Sequence, residues 1–436
     1  MSFNILLLNA VVYICTFLYA FYKAKTLNLY VFIWLAYSIV TLMGYLCVSW
    51  DMYYVKGEVD LGERLSITPY VLSYFTTLLL THPFKEYRKF TVNYQLFRSG
   101  FLFKLSVVLL FVFVFQTIVN TYRAFIVVNT VGLGEAYYMQ HEGESIVVFE
   151  SEILNRIVHF TRVLSDSCIS IYVIYFLSRI TSRIGNLYIN LAMMSVAFLP
   201  SIMSSLAAGS KGGLFFVSFG ILFFYLIFRP YLNSKINRRF IVIGGIVAFI
   251  FISTVLSIVS ERIELKMRYT DDSLEQSHLV RYLGESYPNL GVFYYGQVKQ
   301  HPNGRRFFPE FFDTNAEATI YKYKGIDEKF DYWNGITGVR MANFKTFWGD
   351  WYVEFGTIGS CIAILIMYYI FRKLCFTSSN WTLSRLPLIY FFYIKIIIRG
   401  CFTGSGLEGT ETHKAILVLV LLTFILRRVE RKCLRI

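Results

Sequence analysis

Long apolar runs recur along this chain and decide what it can fold into. Runs of about 18 to 22 mostly apolar residues suit helices that cross a bilayer, because a helix satisfies all of its backbone hydrogen bonds internally. The chain is 56% hydrophobic, 19% aromatic and only 16% charged, with a mean hydropathy of +0.52. A soluble globular domain of 436 residues is therefore excluded. The sequence predicts an all-α polytopic membrane protein.

The runs predict about eleven transmembrane helices. We place them at residues 4–22, 28–49, 66–81, 105–128, 163–179, 187–207, 213–228, 240–259, 351–371, 387–400 and 413–426. The first run has no basic residue before it and is followed by Lys23 and Lys25, which predicts an outward-facing N-terminus rather than a cleaved signal peptide. The odd number of spans then leaves the C-terminus inside.

The distribution of charge supports this topology. Half of the 42 Lys and Arg residues fall in the segments that the topology places inside, where the only acids are Glu86 and Glu430. The net charge of +14 thus follows the positive-inside rule. No basic-aromatic nucleic-acid module is visible, so nucleic acid is not a predicted partner.

Motifs for cofactors and metals are missing from the sequence. The seven cysteines lie in or near spans or on the inner side, so a disulfide framework is not supported. The chain has no HExxH or GxxxxGK[ST] pattern. It also has no DxD pair, since Asp271 and Asp272 are adjacent. We predict neither a metal nor a cofactor.

Two outer loops organise the chain. Residues 1–259 carry helices one to eight with a medium loop at 129–162, residues 260–349 form a large and partly helical cap, and residues 350–436 carry the last three helices and a basic tail. Chemistry is expected on the outer side, where the loops are.

The medium loop is acidic. Near its end the apolar residues Ile153, Ile157 and Phe160 recur at the intervals of one helix face. This spacing predicts an amphipathic helix on the membrane surface. The loop is either a solvated acidic lid or the source of a glutamate, such as Glu142, that positions or deprotonates a sugar hydroxyl.

The large loop contains SHLVRYLGESYPNLGVFYYGQV, whose apolar residues recur every three or four positions. This pattern predicts a helix face through Tyr287 that is broken at Pro288. Aromatic residues continue through FDYWNG and NFKTFWGDWYVEFG. Such residues beside carboxylates and amides are typical of sugar sites, although an aromatic belt at the membrane interface explains them equally well.

Many helices, one dominant outer loop, the basic tip AGSKGG and the loop exit NFKTFWGDWYVEFGTIG together resemble the Wzy-type O-antigen or oligosaccharide repeat-unit polymerases. Those polymerases usually have arginine at the tip, where this chain has Lys211. The resemblance implies a GT-C-like glycosyltransferase of the bacterial inner membrane with its active site facing the periplasm.

Such an enzyme transfers a growing glycan from undecaprenyl pyrophosphate to the non-reducing end of another lipid-linked repeat unit. The implied partners are the two undecaprenyl-pyrophosphate-linked oligosaccharides, membrane lipids, a chain-length regulator and a flippase. Two alternatives stay open: an O-antigen ligase, which transfers the glycan to lipid A core, and a non-enzymatic flippase.

The implied reaction suggests roles for particular residues. A departing pyrophosphate requires fixed positive charge, and without a DxD pair Lys and Arg must supply it. Gly209 permits a turn before Lys211, while Gly212 and Gly213 let a headgroup approach the backbone. The predicted catalytic residues are Lys211, Arg340, Lys345, Arg281, Glu142 and Glu354, and the predicted substrate-binding residues are Arg123, Lys395, Arg399, Tyr287, Trp348 and His301.

Simpler explanations compete for several of these residues. Lys211 can be a snorkelling lysine at a helix end, Arg281 can pair with Glu285 one helical turn later, and Arg123 can pair with Asp166. Lys395 and Arg399 are four residues apart and are expected on one helix face. The general base is left open among Glu142, Glu144, Asp350, Glu354, Glu408 and His301.

Overall fold

The computed structural model describes residues 2–50, 65–87, 89–91, 100–142, 149–242, 244–245, 253–254, 278–309, 326–341, 344–376, 380–404, 406–407 and 410–433. It divides into two compact units. Unit 1 comprises Met1–Tyr87, Leu274–Ser379 and Phe392–Thr412, and unit 2 comprises Arg88–Ser273, Asn380–Phe391 and His413–Ile436.

Unit 1 is built from N-terminal helices and from most of the large loop. Its helices are α1 (Ser2–Ala24), α2 (Leu29–Ser49), α3 (Thr68–Lys85), α10 (His278–Gly284), α11 (Ser286–Asn289), α12 (Ile326–Thr337), α13 (Phe347–Cys375) and α15 (Arg399–Phe402). Two π-helical turns, Leu290–Tyr294 and Phe392–Ile398, complete it.

Unit 2 contains the middle of the chain. Its helices are α4 (Phe101–Ile126), α5 (Leu133–Glu142), α6 (Glu152–Thr181), α7 (Leu187–Val196), α8 (Leu199–Ala207), α9 (Lys211–Phe228), α14 (Leu386–Phe391) and α16 (Thr410–Cys433), of which α16 begins in unit 1. A π-helical turn at Val127–Val131 extends α4. Strands β1 (Lys89–Thr91) and β2 (Asn380–Thr382) pair in parallel, with Phe90 opposite Trp381.

Seven of the described helices are long and apolar enough to cross a membrane. They cover Asn4–Ala24, Leu29–Ser49, Phe101–Val131, Glu152–Thr181, Leu187–Ala207, Gly212–Tyr231 and Phe347–Cys375. Each coincides with a predicted span, so the multi-pass helical class is confirmed. These seven helices have many exposed apolar side chains. Phe111 on α4, for example, is 71% exposed.

The other four predicted spans have different outcomes. Residues 66–81 and 413–426 overlap helices α3 and α16, which are not among these seven. Residues 387–400 are divided among α14, a π-helical turn and α15. Most of 240–259 lies outside the described residues. The prediction of about eleven spans is therefore supported for seven.

Helix α6 differs from the prediction for the medium loop. It runs from Glu152 to Thr181 without interruption, so the amphipathic stretch and the predicted span at 163–179 are one helix. Ile153 and Phe160 are 71% and 61% exposed, which agrees with a predicted apolar face. The stretch is nevertheless not a separate surface helix.

Loop helices α10 and α11 pack tightly against α2 within unit 1. Gly284 lies so close to the backbone of Met43 that a Cβ atom there would be 2.3 Å from the Met43 carbonyl carbon. The expected break at Pro288 is wrong: Pro288 lies in α11 and a π-helical turn follows directly. Proline is tolerated because the first turn of a helix needs no amide donor. This packing places the large loop directly against α2, one of the candidate membrane-spanning helices.

An aromatic core fixes that arrangement. The rings of Tyr13 and Tyr37 stack at 5.8 Å, and Tyr287 from α11 meets Tyr13 edge-on at 5.9 Å. The hydroxyl of Tyr70 on α3 donates to the Tyr287 carbonyl at 3.1 Å. Buried aromatic pairs of this kind contribute about 0.5 to 1.5 kcal/mol each beyond their buried area. The loop thus starts from a rigid base.

Candidate functional site

A buried ion cluster lies where the large loop meets α13. Arg306 Nη2 lies 2.7 Å from Asp350 Oδ1, and Arg306 Nε lies 3.0 Å from Glu354 Oε2. The three residues are 3%, 4% and 0% exposed. Asp350 and Glu354 are four residues apart and so share one face of α13, which lets a single guanidinium group engage both.

The same cluster holds a turn of the loop in place. Glu354 Oε1 accepts hydrogen bonds from the backbone N–H groups of Gly304 and Arg306 at 2.7 and 3.1 Å, while the Arg306 guanidinium lies over the Phe307 ring at 4.5 Å. Both oxygens of Glu354 therefore have donors and no solvent exposure. The carboxylate proposed as a general base instead fastens residues 303–306 to α13.

Residues 294–301 form the bridging segment. This segment, the buried ion cluster and residues 337–340 together make up the loop layer. The Tyr294 hydroxyl donates to the Arg340 carbonyl at 3.1 Å, and the Gly296 amide donates to the Tyr352 hydroxyl at 2.9 Å. Further along, the Lys299 amide donates to the Thr337 carbonyl at 2.8 Å. The segment is thus held on both sides, against residues 337–340 and against α13.

Two exposed cations flank Gly338 at the edge of the bridging segment. Arg340 is exposed, and so is Lys299, whose aliphatic stem packs against Gly338. Within the described part of the chain neither side chain has an ion-pair partner. Arg340 was predicted as a site residue, whereas Lys299 was missed because nothing in VKQHP marks a lysine for pyrophosphate.

The other predicted cations of the loop are engaged. Lys345 is 7% exposed, donates from Nζ to the Met341 carbonyl at 2.7 Å and lies 5.5 Å from the centre of the Tyr294 ring. Arg281 pairs with Glu285 at 2.9 Å, as the simpler explanation expected. Both cations therefore support the loop in this structure.

Burial raises the pKa of the Tyr294 phenol well above its ordinary value, and the negative charges of Asp350 and Glu285 add to that effect. Arg306 and Arg340 act in the opposite direction. The phenol therefore stays protonated and remains a hydrogen-bond donor to the Arg340 carbonyl. This bond connects the exposed cation to the buried part of the layer.

An aromatic group lines the α13 side of the bridging segment. Trp348 and Tyr352 stack with their rings 5.2 Å apart, and Tyr295 lies 5.3 Å from Tyr352. Trp348 and Tyr287 are 1% and 0% exposed, so the structure gives these two predicted sugar-binding residues a packing role. Tyr295 is only half-buried and is the ring of this group that can meet a ligand.

His301 ends the bridging segment and is half-buried. Its Nδ1 atom lies 2.9 Å from the Val353 carbonyl oxygen, and its ring meets Tyr352 edge-on at 5.6 Å. Helix α13 is interrupted beside it at Gly356, where φ is +68°. That conformation suits glycine, and a side chain there would lie 3.2 Å from His301 Nε2.

Lys395 and Arg399 lie on one face, as predicted. The amide of Gly406 donates to the Lys395 carbonyl at 2.8 Å. A side chain at residue 406 would meet Cβ of Lys395 and Cδ of Arg399, both at 3.1 Å. Residues 406–407 therefore cover the face that carries both cations.

The glycine tip of unit 2 (residues 206–213) owes its shape to close backbone packing. Gly209 has φ of +51°, which confirms the predicted turn, and a Cβ there would lie 2.0 Å from the Leu133 carbonyl oxygen. The space beside Gly213 holds Ser205 Oγ, which would be 2.0 Å from a Cβ at that position. Gly213 therefore packs against α8 and does not open the backbone to a headgroup. Lys211 is the first residue of α9.

The remaining predicted residues belong to unit 2 or lie outside the described part. Arg123 is electrostatically influenced by a second cation, Arg162, and no ion pair joins it to Asp166 among the described contacts. Glu142 is exposed at the end of α5. Glu144 and Glu408 lie outside the described residues.

Among the residues that the structure describes, no group of three His, Cys, Asp or Glu side chains is placed to hold a metal ion. The carboxylates that do approach each other, Asp350 and Glu354, are joined by Arg306. No protein-family profile, curated protein or solved structure matches this chain.

Proposed function

We propose that this protein is a membrane glycosyltransferase that polymerises lipid-linked oligosaccharide repeat units. The growing glycan would leave undecaprenyl pyrophosphate and join the non-reducing end of a second lipid-linked unit. The observation that carries the proposal is the bridging segment, which carries Tyr295, Lys299 and His301 and is hydrogen-bonded to the backbone of residues 337–340, where Arg340 lies.

The chemistry asks for this combination of groups. A departing pyrophosphate develops negative charge, and cations fixed in a partly desolvated place stabilise that charge most strongly. Arg340 offers a planar fork for two phosphate oxygens, and Lys299 adds a point charge beside it. Because neither has a described ion-pair partner, neither must first release a carboxylate.

The loop layer also offers preorganisation. The backbone at Arg340 is held by the Tyr294 hydroxyl and that at Lys299 by the Thr337 carbonyl, so little order remains to be gained when a ligand binds. Tyr295 supplies a partly exposed ring for stacking on a pyranose. Lys211, at the start of α9, remains a predicted source of positive charge.

The proposed location is a bacterial inner membrane, with the large loop in the periplasm. This location can be tested with single cysteines at exposed positions. Glu328→Cys should react with an impermeant maleimide in intact spheroplasts, and Lys235→Cys should react only after lysis. The reverse pattern would place the loop layer in the cytoplasm and end the proposal.

The direct test uses purified protein in lipid nanodiscs and synthetic lipid-linked repeat units, with product length read on a gel. We expect a ladder that persists in the presence of a chelator. Arg340→Ala should abolish long products, and Arg340→Lys should retain less activity than the wild type because a fork becomes a point contact. Lys211→Ala should also abolish long products, whereas Lys211→Arg should keep activity.

Arg305→Ala is the matched control, since Arg305 is exposed and lies outside the bridging segment. Full activity of Arg340→Ala and Lys211→Ala would contradict the assignment of the cations. Strict dependence on a divalent metal would contradict the metal-independent chemistry. Transfer to lipid A core in place of a second repeat unit would identify the ligase alternative.

A further inference from the structure

We infer that His301 is the general base of the proposed reaction, acting through Nε2 on the acceptor hydroxyl. The inference rests on the proposed function and chooses among candidates that the sequence left open. It begins with the hydrogen bond at the other ring nitrogen: Nδ1 lies 2.9 Å from the Val353 carbonyl oxygen.

A carbonyl oxygen can only accept a hydrogen bond, so Nδ1 must carry the hydrogen. In the neutral imidazole the lone pair is then on Nε2. No hydrogen bond to Nε2 is formed by the residues that the structure describes. The ring is thus held in the tautomer that can remove a proton, by the second-group orientation that activates histidine bases in general.

Helix α13 meets the Nε2 side of the ring at Gly356. A Cβ atom at residue 356 would lie 3.2 Å from Nε2 and would crowd the ring. Because residue 356 is glycine, no side chain from that position covers the basic nitrogen.

The two carboxylates of the loop layer that were also candidates for the general base are already engaged. Glu354 is 0% exposed, and both of its oxygens already accept hydrogen bonds. Asp350, 4% exposed, is paired with Arg306. By contrast His301 is half-buried and shares the bridging segment with Tyr295 and Lys299, where a sugar ring and a pyrophosphate would be bound.

The step balances without a further reactant. Nε2 takes the proton of the acceptor hydroxyl, and the oxygen forms a bond to the anomeric carbon of the donor glycan. The bond from that carbon to the pyrophosphate oxygen breaks, and undecaprenyl pyrophosphate leaves with the electron pair. The imidazolium group then releases its proton to water.

The test distinguishes loss of the basic nitrogen of His301 from loss of the packing of its ring. In His301→Asn the side-chain amide can still donate to the Val353 carbonyl, but it provides no basic nitrogen. We expect kcat to fall by about 10²- to 10⁴-fold, the usual contribution of a general base. The KM for the lipid-linked acceptor and the thermal midpoint should stay near the wild-type values. Wild-type activity in His301→Asn would overturn the inference.

Chemical rescue gives a second measurement should His301→Asn be unstable. In His301→Ala, added imidazole should restore activity in proportion to its concentration, and it should leave the wild-type rate unchanged. A folded His301→Ala protein that imidazole does not rescue would also overturn the inference. If the wild-type protein makes no polymer, the proposed function itself has failed, which is a different result.

Discussion

The bridging segment of unit 1 and the glycine tip of unit 2 each include a lysine, Lys299 and Lys211, but the two segments are held in place by different means. The layer beneath the bridging segment is fastened by the buried pairs of Arg306 with Asp350 and Glu354. The tip is shaped by Gly209 and Gly213, which fit against Leu133 and Ser205. The position of the bridging segment therefore depends on buried ion pairs. The shape of the glycine tip depends on glycines that leave room for close packing.

This difference predicts opposite sensitivities. Loss of a buried ionic partner leaves an uncompensated charge, while an added methyl group in a filled space causes a steric clash. The first kind of change should damage unit 1 and the second unit 2.

The largest expected effect comes from Arg306→Met. Removing the guanidinium takes away the ion pairs that Arg306 forms with the buried Asp350 and Glu354, so the folded state should lose about 3 to 5 kcal/mol. The measurement is the thermal midpoint of the purified protein in detergent. Arg305→Met is the control, because its exposed side chain should matter by about 0.5 kcal/mol or less.

Neutralising the partners sharpens this prediction. The triple variant of Arg306→Met with Asp350→Asn and Glu354→Gln should recover part of the lost stability, because the two buried carboxylate charges are removed together with the guanidinium. If Arg306→Met and Arg305→Met melt at the same temperature, the cluster does not fasten the loop.

The glycine tip should respond next. Gly209→Ala forces a left-handed conformation on alanine and places its Cβ against the Leu133 carbonyl. We expect a loss of about 1 to 3 kcal/mol from conformational strain and overpacking. Gly335→Ala is the control: it lies in α12 with nothing within 4 Å of the new Cβ. Alanine there should stabilise the helix by about 0.5 to 1 kcal/mol.

A result in which both alanine variants lower the melting temperature equally would show that the tip is not specially packed. The contrast between the bridging segment and the glycine tip would then not hold for the tip.

A smaller effect concerns a half-buried carboxylate of unit 2. Glu430, beyond the apolar run at 413–426, accepts a hydrogen bond from Ser384 at 2.5 Å. Burial raises the pKa of this carboxyl above its ordinary value, although Ser384, Arg385 and Arg427 partly oppose the shift. Because the folded pKa is raised, the protonated form is favoured by folding. Its stabilising contribution is present at low pH and is lost as the pH rises through the folded value.

Glu430→Gln should remove this dependence. Between about pH 4.5 and neutral pH, the wild type should lose stability relative to the variant, by less than about 1 kcal/mol, the scale of one hydrogen bond. Melting curves of both proteins across that range measure the difference. A wild type that gains stability relative to Glu430→Gln as the pH rises would contradict the direction of the pKa shift.

The two regions also differ in how far the sequence revealed them. The turn at Gly209 follows from AGSKGG, and the buried face of Tyr287, Leu290 and Tyr294 follows from residue spacing, because both are local features. The ion cluster joins residues 44 and 48 positions apart, and no periodicity records such a pairing. The bond from His301 to Val353 spans 52 positions, so the sequence left the general base undecided.

Burial was the other property that residue type could not supply. Tyr287, Trp348 and Lys345 are of types that line sugar and phosphate sites, and all three are covered in the structure. Lys299 carries an equally suitable charge and is exposed. The choice between these lysines depends on how residues 337–341 and 344–345 pack against the bridging segment, which is a tertiary property.

The smallest expected effect concerns Arg281 and Glu285, an ion pair one helical turn apart with side chains 35% and 17% exposed. Pairs of this kind contribute about 0.3 to 0.5 kcal/mol, and arginine before glutamate is the less favourable order. Arg281→Ala should therefore change the melting temperature only slightly.

A double-mutant cycle with Glu285→Ala distinguishes an ion pair between Arg281 and Glu285 from a role of Arg281 in catalysis. If Arg281 only pairs with Glu285, both single variants and the double variant should have the same polymerising activity. If Arg281 contacts pyrophosphate, Arg281→Ala should lose activity in either background while Glu285→Ala keeps it, and Arg281 would then join the cations of the bridging segment.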